Sequence, residues 1–368
     1  MNRLTKATLA LLAGCVLIAA AAWATFQLPV FGGHPGSALT QRMRASKQFH
    51  GERFENTPPY VSNMSLSGEL KSYLGDEVRE PQFEVPVQRI AAGDLVRPVP
   101  PGLRAWWLGH ATVLLEIDGV RILTDPILSR RASPFQFIGP ARLHPAPLAI
   151  DELNNIDAVV ISHDHFDHLD MDTVQALGRG GTHFFVGLGI GAHLERWGVP
   201  PAQVHDMDWW ERAHVRGVTI HCAPARHYSG RKSMDNSTLW SSWMIKGPDH
   251  SVYFSGDTGY AGHFRQVRER LGAPQLALLK IGAYGDTWAD IHMTPESAVR
   301  AHVDLGAATL LPVHWATFNL AYHAWDEPIV RAVAAARAQG VQIVTPRPGE
   351  KFEEGAAFVN RAWYLKAP

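Results

Sequence analysis

"HDHFDHLD" (His163–Asp170) follows directly on the apolar run "AVVIS" (Ala158–Ser162), and six of its eight positions are histidine or aspartate. A short run rich in β-branched residues reads as a buried strand. Polar side chains just past a strand end stand where open α/β sheets carry their sites. Imidazole nitrogen and carboxylate oxygen, with no thiolate among them, suit zinc, manganese or iron. His163 and His165 can point the same way from an extended turn, and Asp167 and His168 follow on the next bend. Four donors so close in sequence are too crowded for one tetrahedral ion that keeps an open position. A lone histidine or aspartate after a strand is ordinarily a turn residue or a helix cap. An H-x-H-x-D-H cluster seldom arises by chance.

Three further residues have the same placement. His227 follows "VTIHCAP", Asp257 ends "VYFSGD", and His314 follows "TLLPV". Donors delivered from several strand ends can meet at one sheet edge. The set His163, His165, Asp167, His168, His227, Asp257 and His314 fits two ions with one carboxylate bridging them. A pair held about 3.5–4 Å apart activates water and clamps a phosphoryl or carbonyl oxygen. Asp170 precedes "MDTVQAL" and reads as a helix N-cap, while Asp164 faces away or braces a ligand.

From Leu103 onward the chain alternates strand-like and helical patterns. "RAWWLGHATVLLEIDGVRILTDPIL" holds two β-rich runs around Asp118-Gly119, a strong hairpin signal. Apolar strand-like runs follow at 157–162, 183–187, 218–223, 239–245, 252–255, 276–281, 309–313 and 341–344. Helical stretches at 171–178, 191–197, 260–271, 295–305 and 327–339 separate several of them, and Thr294-Pro295 opens the fourth as N-cap and first-turn proline. This interleaving predicts an α/β protein whose sheet is covered by helices. Residues 101–368 read as the globular domain and residues 28–100 as an extended N-terminal arm with one short helix.

With 46% hydrophobic residues, 25 prolines and 32 glycines, the chain is folded and loop-rich. A formal net charge of −1 gives no overall pull toward nucleic acid, so no nucleic-acid partner is expected. Cys15 and Cys222 are the two cysteines, and no disulfide can form within the globular part. Residues 1–27 carry Arg3 and Lys6 ahead of "ATLALLAGCVLIAAAAWATF" (Ala7–Phe26), about 30 Å long as a helix. Positive charge before an apolar segment predicts a membrane anchor with the catalytic part exported, on the periplasmic face in a bacterium. Signal cleavage after "AWA" (Ala22–Ala24), releasing the domain, and lipid attachment within "LAGC" (Leu12–Cys15) are the alternatives.

The H-x-H-x-D-H motif resembles the signature of the metallo-β-lactamase superfamily. Within it, "WLGHATVLLEIDG", "LTDPILSRRASP", "ISHDHFDHLD", "MDWWE", "FSGDTGY", "IGAY" and "VHWATFNLA" together resemble the N-acylphosphatidylethanolamine-hydrolysing phospholipase D family. These blocks run in the family's order from about residue 104 to 321. The resemblance implies an αββα sandwich (metallo-β-lactamase fold) and two zinc ions, with Mn²⁺ or Fe²⁺ as substitutes. It places one ion on His163, His165 and His227 and the other on Asp167, His168 and His314, with Asp257 bridging. It also implies that His292, in "DIHMTPE", stands near the substrate phosphate, and that His110, in "LGHAT", supports the floor of the site. Asp167 and Asp257 join His292 as expected catalytic residues. Phe166 and Ile291 depart from the family's pattern beside the substrate cleft.

The expectation is a zinc-dependent phosphodiesterase of phospholipase D type acting on a phospholipid-like, amphiphilic substrate. Three readings compete with it. One is a lactone, thioester or other ester hydrolase of the same fold. Another is a di-iron oxidoreductase, whose sites characteristically carry a carboxylate where His165 stands. The third is a membrane-associated regulatory protein without catalysis.

Overall fold

Along the strand Ala158–Ile161, Ala158 and Val160 enter one apolar core, whereas Val159 and Ile161 enter another. Successive strand side chains point to opposite faces, so a strand without a polar position must be covered on both. The computed structural model describes residues 3–61 and 77–365, with backbone alone at residues 3, 4, 6–10 and 92.

Two short strands, β1 (Phe49–His50) and β2 (Arg53–Phe54), form an antiparallel pair ahead of the main body. The first large sheet contains β3 (Leu103–Gly109), β4 (Thr112–Ile117), β5 (Val120–Thr124), β6 (Ala158–Ile161), β7 (His183–Gly187) and β8 (Val204–Met207). The second contains β9 (Arg212–Val215), β10 (Val218–Ala223), β11 (Ser242–Lys246), β12 (Ser251–Phe254), β13 (Leu276–Lys280), β14 (Thr309–Val313) and β15 (Gln342–Ile343). β16 (Lys351–Glu353) then returns to the first sheet beside β3. Pairing is antiparallel from β3 to β5 and from β9 to β12, and parallel from β5 to β8 and from β12 to β15.

The alternation seen in β6 recurs along the first sheet. Trp107, Val113, Leu115, Ile122 and Phe185 pack toward the second sheet, in the same cluster as Ile220, Cys222 and Trp243. Leu114, Leu123, Phe184 and Val186 face outward onto Val174, Leu177 and Leu194 of helices Met171–Arg179 and Gly191–Arg196. The second sheet is covered by Phe264 and Val267, Ala298 and Val299, and Ile329 and Ala332, from helices His263–Leu271, Pro295–Leu305 and Glu327–Ala338. The architecture is an αββα sandwich. Each large apolar side chain fully buried this way contributes about 1.5–3 kcal/mol.

The Asp118-Gly119 hairpin is present, with φ of 47° and 88° at its two central residues and Ile117 paired with Val120. Its upstream run is two strands, because His110 (φ 52°) turns the chain between β3 and β4. The Thr294 side chain accepts from Ser297 N at 3.3 Å and caps helix Pro295–Leu305 as expected.

The N-terminal arm is less extended than its composition suggests. Its described residues include helices Ser37–Ala45 and Ala92–Val96 as well as β1 and β2. Met43 and Phe54 bury against Leu188, Leu239 and Trp240, which ties the arm to the sandwich. Residues 62–76, with most of "NTPPYVSNMSLSGEL", lie outside the described residues. Residues Arg3–Thr25 form one helix. Among the described residues no helix is long and apolar enough to cross a membrane, so the expected spanning segment gains no support there.

Candidate metal centre

Six strands deliver a polar side chain just past their C-terminal ends: His110 after β3, Asp125 after β5, His163 after β6, His227 after β10, Asp257 after β12 and His314 after β14. Within each sheet these strands share one direction, so the six arrive at the same end of the sandwich. The two halves are joined there by backbone. His314 N donates to His110 O at 2.8 Å, and His110 N donates to Thr317 Oγ1 at 2.6 Å. His314 itself holds φ 65°, a left-handed conformation uncommon outside glycine.

All seven residues singled out as ligands converge. His163 Nε2 lies 2.8 Å and His227 Nε2 3.4 Å from His165 Nδ1. On the other side, His168 Nε2 lies 3.2 Å from His314 Nε2 and 3.3 Å from Asp167 Oδ2. Asp257 stands between the groups, with Oδ2 3.5 Å from His168 Nε2 and 3.9 Å from His227 Nε2, and Oδ1 3.1 Å from His314 Nε2. Among the compact donor groups are His163, His165 and His227, and His110, Asp167, His168 and His314; Asp125, His163 and His168, and His227, Asp257 and His292, form two more that overlap them. His292 Nε2 is 3.7 Å from Asp257 Oδ2, at the rim.

Hydrogen bonds behind the rings decide which nitrogen faces inward. His168 Nδ1 donates to Asp125 Oδ2 at 2.6 Å, and His227 Nδ1 donates to Ile291 O at 3.2 Å. Ser162 Oγ donates to Asp125 Oδ2 at 2.5 Å, so it accepts from His163 Nδ1 at 2.9 Å. In all three rings Nδ1 donates, which leaves Nε2 as the nitrogen turned into the cluster, its lone pair bare in the neutral His163 and His227. Such an arrangement holds metal-ligating imidazoles in one tautomer and raises their basicity. Facing lone pairs repel unless a cation sits among them, and Asp257 Oδ1 is buried there without a hydrogen-bond partner among the described residues. The donor set therefore fits metal ions.

The electrostatics point the same way. Burial and the neighbouring His168 and His165 hold His163 well below the ordinary histidine range. Burial does the same to His227. Burial would raise the Asp257 carboxyl, but His314, His168, Lys280 and His292 together pull it well below the usual range. His168 runs the other way: burial opposes its charge, yet Asp167, Asp257 and Asp125 lift it well above an ordinary histidine. Unprotonated His163 and His227 beside the ionised Asp257 are what a divalent cation requires, and a cation bound among Asp167, Asp257 and His168 would replace the extra proton on His168.

The remaining residues of the motif are supports. Asp164 faces away and accepts from Gly230 N at 2.8 Å, bracing the loop after His227. Asp170 occupies the N-cap position of helix Met171–Arg179, but its carboxylate accepts from Ser129 Oγ and Thr173 Oγ1 rather than from the helix backbone. His110 lies closer to the centre than a floor residue, its Nε2 2.9 Å from Asp167 Oδ2. Asp125 escaped the sequence reading as a site residue. Its signal was its place, one residue past "VRILT", as with the others.

Above the donors opens a cleft of about 300 Å³, walled by Tyr60, Tyr228, Met234, Trp288, Ile291 and Leu320. Its floor is polar and its walls are largely apolar, the usual build of a small-molecule site.

The family described as "Beta-lactamase superfamily domain" matches residues 120–315, a span holding every one of these donors except His110. The chain belongs to the beta-lactamase superfamily. As a metallo-β-lactamase-fold protein, it is a metal-dependent hydrolase by fold and by relationship. It is 42% identical over 370 residues to an uncharacterised protein of Mycobacterium tuberculosis, covering 98% of this chain and all of that one. It is also 37% identical over 249 residues to N-acyl-phosphatidylethanolamine-hydrolyzing phospholipase D 1 of Caenorhabditis elegans, covering 64% of this chain and 69% of that one. Among solved structures it is similar to Igni18, a metallo hydrolase of the archaeon Ignicoccus hospitalis. That match has a TM-score of 0.53 and 27% identity, and covers 68% of this chain and 98% of the other. The resemblance read from the motifs is borne out.

Proposed function

We propose that this hydrolase is a binuclear zinc-dependent phosphodiesterase of phospholipase D type, acting on N-acylphosphatidylethanolamine-like phospholipids. The observation that carries the reading is the cleft: two adjoining His/Asp donor sets at its floor beneath the apolar walls of Met234, Trp288, Ile291 and Leu320. The similarity to the C. elegans phospholipase D supports the substrate class. His163, His165 and His227 would hold one ion, Asp167, His168 and His314 the other, and Asp257 would lie between them. Two such ions supply an activated water and stabilise charge on phosphoryl oxygens. The chain's own contribution is to fix the donors, through Asp125, Ser162 and Ile291 O, and to line the cleft for an amphiphile. An ester or lactone substrate would need the same floor, so the phosphorus centre is what an assay must establish.

The test is metal analysis of the purified chain followed by hydrolysis of a panel of phospholipids, with Asp257→Asn as control. Release of phosphatidic acid from N-acylphosphatidylethanolamine, abolished by chelation and by the substitution, is the expected outcome. Turnover that survives removal of all metal, or cleavage confined to carboxylic esters, overturns the proposal.

Export with attachment to a membrane through residues 1–27 belongs to the same proposal. It is supported by the exposure of Leu11, Leu12, Val16, Leu17, Ile18 and Trp23 along helix Arg3–Thr25. Fractionation of the full chain against one lacking residues 1–27 tests it, and recovery of both in the soluble cytoplasmic fraction refutes it.

A further inference from the structure

Lys280 is the last residue of β13 and is wholly buried, an unusual position for an ammonium group. Its Nζ lies 2.7 Å from Gly282 O and 2.5 Å from His292 Nδ1. An ammonium has no lone pair for a metal, and among the described residues Lys280 does not line the cleft. It meets the reaction chamber through the His292 ring, which forms part of the cleft wall. An ammonium has three hydrogens and no acceptor, so His292 Nδ1 must accept from it. The ring hydrogen then sits on Nε2. This is the reverse of His163, His168 and His227, whose Nδ1 atoms donate to acceptors behind them. His292 Nε2 stands 3.7 Å from Asp257 Oδ2, beyond hydrogen-bond reach.

We propose that Lys280 is a positioning residue that locks His292 with its hydrogen on Nε2, making His292 a donor to an anionic substrate oxygen and not a ligand of a cation. On spacing alone His292 could be a ligand, since it forms a compact donor group with His227 and Asp257. The lysine behind it removes that option, because an N–H has no lone pair to offer. The neighbouring Asp257 and Asp167 favour the charged form of Lys280, although burial draws its pKa down to about 8. The inference rests on the phosphodiesterase reading for the nature of the substrate oxygen, but the form of the ring is independent of any substrate.

The ring is read directly in the metal-loaded full chain by two-bond ¹H–¹⁵N spectra of ¹⁵N-histidine, with His292→Ala identifying the signal. An Nε2–H pattern is expected, and His292→Ala should keep the metal content of the unsubstituted chain. An Nδ1–H pattern, or loss of a metal equivalent in His292→Ala, overturns the proposal whatever the substrate proves to be. Calorimetry with inorganic phosphate supplies the second arm. Binding to the metal-loaded protein should weaken about tenfold or more in Lys280→Met, the scale of one hydrogen bond to a charged group. Lys280→Gln, whose amide can still donate to Nδ1, should recover most of it. Adding Lys280→Met to His292→Ala should cost nothing further. Additive losses in the double variant, or unchanged phosphate binding in Lys280→Met, would show that Lys280 does not act through His292. If Lys280→Met does not fold, Lys280→Gln with the ¹⁵N spectrum decides alone: a ring still carrying its hydrogen on Nε2 supports the proposal, and an Nδ1–H ring refutes it.

Discussion

Asp125→Asn should weaken metal binding without touching a ligand. The Asp125 carboxylate is fully buried and accepts three hydrogen bonds: Ser162 N at 2.6 Å on Oδ1, and Ser162 Oγ at 2.5 Å and His168 Nδ1 at 2.6 Å on Oδ2. Asparagine offers one oxygen and one NH₂. If the oxygen keeps the Ser162 backbone, the NH₂ meets the His168 Nδ1 hydrogen, donor against donor. The ring can escape only by moving its hydrogen to Nε2, the atom that faces Asp167, Asp257 and His314. If the amide turns over instead, the NH₂ opposes the Ser162 backbone N–H and leaves a buried donor unsatisfied. Loss of a carboxylate behind a ligating histidine costs about 10–100-fold in metal affinity, or about 1.4–2.7 kcal/mol. The unsatisfied group costs about 1–3 kcal/mol of stability. Competition with a chromophoric chelator measures the first, and urea unfolding of the metal-free protein measures the second. A Kd for zinc within twofold of the unsubstituted chain would refute the reasoning, because it would mean that the inward face of His168 is not set from behind.

Arg121→Met should destabilise the chain by about 3–5 kcal/mol, since it strands Glu116 in the core, where the pair now meets at 2.6 Å with both side chains almost fully buried. Adding Glu116→Leu should recover most of that loss in urea unfolding, and no recovery would contradict the pairing. Gly259→Ala should displace the segment carrying His292, because a Cβ there would sit 1.8 Å from the Asp290 backbone oxygen. Unchanged phosphate binding and an unchanged melting temperature in that variant would contradict the contact. Burial, reinforced by Arg142 for His144 and by Arg226 for His263, lowers both histidines to about 3. Folded-state values below the unfolded value of about 6.5 mean that the unfolded chain binds more protons between those limits. The stability tied to each group is therefore complete above about pH 6.5 and lost as pH falls toward 3. Between pH 7.5 and 5.5 each removes about 1.4 kcal/mol, so His263→Met should show a stability drop smaller by that amount. An equal drop in variant and parent would refute the assignment.

Much of this fold could be read from the sequence because its inner strands are buried on both faces. Runs such as "AVVI" and "LALL" (Leu276–Leu279) have no polar position and so announce themselves. Besides β1 and β2 of the arm, the strands that went unread are β8, β9 and β16, which lie at sheet edges, where "VHDM", "RAHV" and "KFE" mix polar and apolar positions over three or four residues. The arm misled for a related reason. Its prolines and glycines suggest loop, yet Met43 and Phe54 find a pocket on the sandwich that only the tertiary fold creates. At the site, ligands were legible because each follows an apolar run. Asp125 was passed over because one aspartate before a proline looks like a turn, and Lys280 because nothing in sequence brings it to His292. Apart from Ser162 beside His163, the hydrogen bonds that set the ring tautomers join residues distant in sequence.

Anomalous scattering from crystals of the full chain grown with zinc tests the central claim most directly. Two peaks about 3.5–4 Å apart are expected, each about 2.0–2.2 Å from its nitrogen and carboxylate donors. The first should lie among His163, His165 and His227, the second among Asp167, His168 and His314, with Asp257 reaching both. Zinc-edge data showing no density among these seven residues, while the cluster keeps its geometry, would contradict the account.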